Sequence, residues 1–326
     1  LHLLSRRQRQ MCIRDRYVRV YFSGLIFIFI YNMGAAILRA VGDSKRPLYY
    51  LIVCSVVNII LDLLLILVIP LGVLGAAIAT LIAQAVSAVL VTVTLMYRTE
   101  GMKLCLSQIR MYKRMLQSIL KIGLPAGFEA IMYSISNIIV QVSINNFGVD
   151  TMAAWTAYSK IDFIFWMINS AFGISVMTFV GQNYGAGKWD RIRRGTKICL
   201  GMALISAVSV SIILMSAERF LFGIFVNDAG VVEIGIRMMN VIAPAYLLFA
   251  FIEVFSGALR AQGAVVVSTL ITMVGICVLR MIWVTLVAAH GTLEQVIICY
   301  PITWAAGALA MSIYYIYKQR KIFQAR

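Results

Sequence analysis

The sequence predicts an all-α polytopic membrane protein, and three observations carry that reading. Of 326 residues, 62% are hydrophobic and 13% charged, against roughly 45–50% and about 25% in an ordinary soluble domain. Nine stretches reach the ~20 mostly apolar residues that cross about 30 Å of hydrocarbon. Lysine and arginine crowd into alternate connectors between those stretches, the asymmetry that membrane insertion imposes. Backbone inside a bilayer must satisfy its hydrogen bonds within itself, and the stretches are far too long for barrel strands, so they are helices. Mean hydropathy is +0.91, which excludes a soluble enzyme, a disordered chain and a nucleic-acid binder. The net charge of +16 is read as loop charge at a membrane surface.

Along the chain, residues 1–16 come before the apolar pattern and carry five arginines. They could be a basic leader. Met11-Cys12-Ile13-Arg14-Asp15-Arg16 also resembles the translation of a transposon-end sequencing adaptor, so 1–16 is expected to be non-native. Spans at 17–38, 48–70 and 72–97 make a first group, residues 17–97. The connector 98–120 mixes basic residues with apolar ones at 104, 106, 109, 115, 116, 119 and 120; it is expected to lie on the inner leaflet as an amphipathic helix and to separate two bundles. Spans at 121–148, 152–180, 196–217, 235–258, 264–289 and 294–317 make the second group, and 318–326 is a tail.

Charge gives the orientation. The connectors 39–47, 98–121, 181–197 and 259–263 and the tail hold 19 basic residues, against two, Arg219 and Arg237, on the alternate side. The first set is therefore cytoplasmic, with the C-terminus. The six cysteines are scattered without a CxxC pair, most of them in apolar runs, and are read as reduced thiols. Together with His2 and His290 they have no usual metal-ligand spacing.

An internal repeat accounts for the odd number of spans. Leu38-Arg39-Ala40-Val41-Gly42 recurs as Leu259-Arg260-Ala261-Gln262-Gly263, an offset of 221, and Gly72 and Gly291 each open a span at an offset of 219. The first copy holds three spans and the second six, so three are expected to be missing from the first. Repeats of this kind are typical of secondary transporters, with the substrate site near the midplane.

Polar residues within the spans are the functional candidates, because a carboxylate at the bilayer centre costs about 2.5–3.5 kcal/mol unless it faces a cavity or a partner. Asn58 and Asp62 share one helix face, and an amide with a carboxylate suits a small cation or a proton; the alternative is a polar cluster between helices. Ser134, Asn137, Gln141 and Asn145 form one stripe, lining a cleft or a helix contact. Glu129 lies four residues after Pro125. Asp162, Trp166 and Asn169 share a face, and a carboxylate beside an indole suits a lipophilic cation; the bland reading pairs Asp162 with Lys160. Arg280, inside a span, needs a partner, and Glu253 or Glu129 is expected to supply it. Arg39 and Arg260 end their spans on the inner side and are read as anchors. No nucleophile–base pair, metal cluster or phosphate loop is legible, so neither an enzyme nor an ATP-driven pump is implied.

Gly181-Gln182-Asn183-Tyr184-Gly185-Ala186-Gly187-Lys188, followed by Asp190-Arg191, resembles the loop motif of the multidrug and toxic compound extrusion (MATE) transporters. Gly123-Leu124-Pro125 opening a span, Leu38 to Asp43 with Pro47, Asn58 to Asp62 and Gly72 to Thr80 support it in family order over 17–317. The resemblance implies two six-helix lobes in an inverted V, of which this chain holds a partial N-lobe of three helices and a complete six-helix C-lobe, helices 4–12 of twelve. It implies a secondary antiporter in the cell membrane that exports amphipathic, often cationic compounds in exchange for H⁺ or Na⁺. No other cofactor or nucleic acid is implied, and the full-length protein would be a monomer in the lipid bilayer. It ties Asn58 and Asp62 to cation coupling, with Na⁺ possible there. One branch of the family has a coupling acid about a turn deeper than Glu129, where this chain has Met132. The alternatives are a lipid-linked precursor flippase of the same superfamily, which would need a positively charged cleft, and a non-functional truncated fragment.

Overall fold

The computed structural model describes residues 17–97, 103–287 and 291–324, and among them there is no strand. Nine helices among the described residues are long and apolar enough to cross a membrane. They are α1 (Tyr17–Ala40), α2 (Lys45–Val68), α3 (Val73–Tyr97), α4 (Lys113–Asn145), α5 (Val149–Gly185), α6 (Trp189–Ser216), α8 (Ala229–Ala261), α9 (Val265–Leu286) and α10 (Leu293–Ile322). A short helix, α7 (Glu218–Phe225), precedes α8. Each expected stretch has its helix, and several run longer: α5 has 37 residues, ~56 Å at 1.5 Å per residue, well beyond the hydrocarbon thickness.

Three local expectations change. Of the expected surface helix at 98–120, residues 98–102 lie outside the described residues, 103–112 hold only the short turn Leu106–Gln108, and 113 onward is the start of α4. The apolar positions 104, 106 and 109 lack helical spacing, whereas 115, 116, 119 and 120 continue the period of the helix that follows. Pro125 does not open a span but lies inside α4, where its ring removes one backbone donor. Residues Gly181–Gly185 form the last turn of α5 rather than a loop.

The chain divides into two compact units, Leu1–Met111 and Tyr112–Arg326. In the first, α3 packs against both α1 and α2, around Tyr31, Ala35, Leu38, Val91 and Leu95. The Tyr31 hydroxyl donates to the Pro47 carbonyl at 2.9 Å, which ties α1 to the start of α2. In the second unit, α5 and α8 form the centre, flanked by α6 and α10. They approach closely where two glycines meet: a Cβ on Gly257 would stand 2.9 Å from the Gly173 carbonyl oxygen. Such small-residue contacts bring membrane helices together.

The sequence repeat is a structural repeat. After Leu38-Arg39 and after Leu259-Arg260 the chain makes the same helix-ending turn. Gly42 (φ 92°) and Gly263 (φ 78°) take the left-handed conformation that the turn needs. The hydrogen bonds coincide: Gly42 N to Arg39 O and Gly263 N to Arg260 O are both 3.0 Å, and Asp43 N to Leu38 O and Ala264 N to Leu259 O are both 2.9 Å. Further on, α2 widens into a π-helical turn at Leu64–Val68 and α9 does so at Trp283–Val287, an offset of 219. The helix α9 carries another at Met273–Val278, so that Arg280 sits on a single α turn between two wide ones. Wide turns of this kind concentrate at functional sites.

Two further features position the site. Pro244 falls in a 3₁₀ turn, Ala243–Ala245, that divides α8, and Tyr246 begins the second half. The start of α10 is fixed by a capping box, Gln295 N to Thr292 Oγ1 at 3.4 Å and Thr292 N to Gln295 Oε1 at 3.1 Å.

Candidate functional site

The second unit contains a cavity of about 490 Å³. Its walls follow helical periodicity. Tyr133, Asn137 and Gln141 recur every four residues on α4, and Trp155, Tyr158, Asp162 and Trp166 recur every three or four on α5. Tyr300 and Trp304 of α10 close it. The aromatic rings interlock behind this surface: Trp166 meets Phe249 edge-on at 4.6 Å, Tyr300 meets Trp304 at 5.6 Å, and Phe165 stacks on Tyr246 at 3.9 Å. The wall is therefore rigid and mostly apolar, with a few polar groups, as in small-molecule sites generally.

Asp162 is the charged member. Its Oδ2 accepts from Trp166 Nε1 at 2.6 Å, and its Oδ1 accepts from Tyr158 Oη at 3.2 Å and from Tyr246 Oη. Three donors converge on the carboxylate and fix its position. The expected carboxylate–indole neighbourhood is thus present, and Lys160 is not the partner. Asn169, on the same helix face, is buried in the core of the unit.

Arg280 stands behind the cavity, fully buried. The expected pairing with Glu253 or Glu129 does not occur. The Arg280 guanidinium donates to Asn137 Oδ1 at 3.1 Å and Thr303 Oγ1 at 3.4 Å, and lies 4.2 Å above the centre of the Tyr300 ring. The reason is depth. Arg280 is level with Asn137, and Glu129 lies eight residues, ~12 Å, away along α4. A cation over an aromatic face gains from the ring's quadrupole, which here stands in for a counter-ion.

Glu129 instead pairs with Arg260, whose Nη2 reaches both carboxylate oxygens, at 2.7 and 2.9 Å. Arg260 is therefore an ion-pair partner within the unit as well as a helix-end cation. Glu253, two turns before it on α8, is within electrostatic reach of both, and its carboxylate packs on Gly173, where an added Cβ would meet Oε1 at 2.0 Å. Arg39 ends α1 in the turn that matches Arg260, but is in no salt bridge among the described residues. We expect a double-mutant cycle of Glu129→Gln and Arg260→Gln, read by thermal unfolding in detergent, to give a coupling of about 1–3 kcal/mol. Additive effects would show that the pair is inert.

The rest of the polar stripe divides. Asn137 is engaged by Arg280 and Gln141 lines the cavity, its Nε2 donating to Asn145 Oδ1 at 2.8 Å. Ser134 bonds the Ala130 carbonyl at 2.9 Å on an exposed face. In the first unit, Asn58 and Asp62 lie one turn apart on α2, and Asn58 Nδ2 and Asp62 Oδ1 are shielded atoms without a hydrogen-bond partner. A shielded carboxylate oxygen with a free lone pair suits H⁺ or Na⁺. Among the described residues no group of three or more His, Cys, Asp or Glu could hold a metal ion.

Tyr158, Tyr246, Tyr133, Tyr300, Trp304 and Thr303 belong to the site and were not candidates in the sequence. Tyr158 had a signal, being four residues before Asp162 as Trp166 is four after. Tyr246 had none, because it comes from a helix 84 residues away.

Comparison with known proteins adds the following. A family model described as MatE matches residues 1–64 and 125–286; the match includes residues 1–16, which lie outside the described residues. A probable multidrug resistance protein of Bacillus subtilis (strain 168), YoeA, is 28% identical over 334 residues, spanning 99% of this chain and 72% of that protein. Multidrug export protein MepA of Staphylococcus saprophyticus is 24% identical over 301 residues, 88% of this chain and 66% of that protein. A solved structure described as the outward-facing conformation of a multidrug resistance MATE family transporter of the MOP superfamily superimposes with a TM-score of 0.87 at 21% identity, over 95% of this chain and 70% of that one. A MOP superfamily transporter from Pyrococcus furiosus, described as having a binding pocket of reverse polarity, matches with a TM-score of 0.87 at 20% identity, over 94% of this chain and 69% of that one. At these identities the structures show the fold.

Proposed function

The chain belongs to the MatE family, a multi-pass membrane protein with the MATE fold, and from that premise we propose that it exports small amphipathic cations in exchange for H⁺ or Na⁺. The observation that carries this reading is the cavity of the second unit, aromatic on most sides with the carboxyl group of Asp162 in its wall. Flat rings accept lipophilic cations of many shapes through cation–π and apolar contact, and one carboxylate selects the sign of the charge. The flippase reading needs a cation in the cavity wall, whereas Arg280 is fully buried behind Asn137.

Asp62 supplies the coupling group. A carboxylate in an apolar span is costly when charged and unpartnered, so a coupling ion or proton that neutralises it favours the state in which it is bound. A ligand shifts a conformational equilibrium only by its differential affinity for the two states, and Asp62 gives the ion that leverage. Glu129, Arg260 and Glu253 form a second charged group through which the occupancy of the C-lobe is felt. The protein works as a monomer in the cell membrane, with its C-terminus in the cytoplasm and no cofactor beyond the coupling ion.

The test is efflux of a fluorescent lipophilic cation from energised vesicles. Efflux driven by an imposed proton or sodium gradient, and not by ATP alone, is the expected result. Efflux that ignores both gradients, or that prefers anionic dyes, sinks the reading. A fluorescent protein fused after Arg326 should be bright, and a dark fusion would reverse the assigned orientation.

A further inference from the structure

A second, separate pocket lies between α6 and α10, at the end of the unit that carries the crowded basic connectors. Its volume is about 260 Å³, and it is lined by Arg193, Lys197, Tyr315, Ile316, Gln319 and Arg320. Arg193 and Lys197 are one turn apart on α6, so both face the same space. Lys197 and Arg320 are in none of the three salt bridges among the described residues, so their charge is uncompensated by protein.

The pocket is also built. Tyr315 is 8% exposed, and its ring stacks on Phe255 of α8 at 4.6 Å. Its hydroxyl is shielded and lies beside Thr196, so the ring forms the inner wall of the pocket. The last turns of α10 are clamped to the turn after α8: Lys318 Nζ donates to Gln262 O at 3.0 Å, and Gln319 Nε2 to Gln262 Oε1 at 3.1 Å. Cations from two helices thus face one small volume whose wall is fixed in advance.

We propose that this pocket binds the phosphate of an anionic phospholipid headgroup. Two cations with no salt-bridge partner among the described residues suit a phosphodiester. Basic pockets between membrane helices on the cytoplasmic side take such headgroups. The apolar continuation decides for a lipid over a free phosphate. Ile316 lines the pocket, and Ile313, one turn deeper on the same face, is 59% exposed, so an acyl chain can run down α10 from a seated headgroup.

The test reads lipid binding, so it is independent of export. The full chain is purified in detergent and titrated with phosphatidylglycerol or phosphatidylcholine in mixed micelles, with retained lipid counted by native mass spectrometry. Retention of phosphatidylglycerol over phosphatidylcholine is expected. Lys197→Gln with Arg320→Gln should weaken it roughly 30-fold, and Arg320→Gln alone about fivefold, the size that one membrane-surface cation contributes. Arg110→Gln with Lys113→Gln removes the same charge elsewhere and should change binding less than about threefold. The proposal is overturned if the control pair weakens binding as much as the pocket pair, or if the pocket variants bind like the parent. It is overturned too if millimolar inorganic phosphate displaces phosphatidylglycerol, which would make this a soluble-phosphate site.

Discussion

Asp62→Asn abolishes export of a lipophilic cation while leaving the protein in the membrane at its normal level. The substitution keeps the shape and one acceptor of the side chain but removes the charge that binds H⁺ or Na⁺. Nothing in the fold depends on that charge: Asp62 Oδ1 has no hydrogen-bond partner, so no donor is orphaned by its loss. Insertion becomes easier, since a neutral amide costs less in hydrocarbon than a carboxylate. The measurement is dye accumulation in energised cells beside the protein content of the membrane fraction. Accumulation as in cells without the protein, at equal membrane content, is expected. Unchanged efflux at equal content would remove Asp62 from the coupling step.

Asp162→Ala is expected to fail differently, by losing stability and function together. Three donors converge on this carboxylate, from Trp166, Tyr158 and Tyr246. Without it the two phenols retain each other, their oxygens being 3.2 Å apart, but the indole N–H and one phenol lose their acceptor. An orphaned buried donor costs about 1–3 kcal/mol, so the loss is about 2–6 kcal/mol. Asp162→Asn keeps an acceptor for Tyr246 but turns an amide N–H toward the Trp166 indole, so it should cost about 1–3 kcal/mol for that one orphaned donor. Thermal unfolding in detergent ranks the two, and dye binding by Asp162→Asn isolates the charge. A midpoint for Asp162→Ala equal to that of the parent would mean that the three donors find other partners. Tight cation binding by Asp162→Asn would mean that the rings alone suffice.

The nine spans were legible because a bilayer imposes a length and a composition that can be counted. The repeat was legible because a helix-ending turn needs glycine in one place, and Gly42 and Gly263 both meet that need. Within the site, legibility followed the range of the contact. Asp162 with Trp166 could be read from a spacing of four. Arg280 could be marked as needing a partner, but its partner was misassigned. A list of charges offers only carboxylates, whereas the fold supplied an amide, a hydroxyl and a ring face. Tyr246 reaches Asp162 from a helix divided by the 3₁₀ turn at Pro244, and no local pattern announces where its second half will point. The expected surface helix at 98–120 failed for a related reason, since the apolar residues on either side of 112 belong to two different segments that composition alone merges.

The wide turns at Leu64–Val68 and Trp283–Val287 amount to slack wound into two helices at matching places. A π turn holds one residue more than an α turn, so each of these helices carries a spare step that can be passed along its axis without unravelling an end. If the spare residue is removed, the wide turn closes to an α turn over about the same arc, so what lies beyond it keeps its facing. A one-residue deletion within Leu64–Val68 should therefore leave Asn58 and Asp62 aimed at their present neighbours, whereas a deletion in a regular turn of α2 would swing everything beyond it by about 100°. The two copies of the repeat carry this slack at matching places, so each helix can lose or shift one residue there without turning the side chains on either side of it.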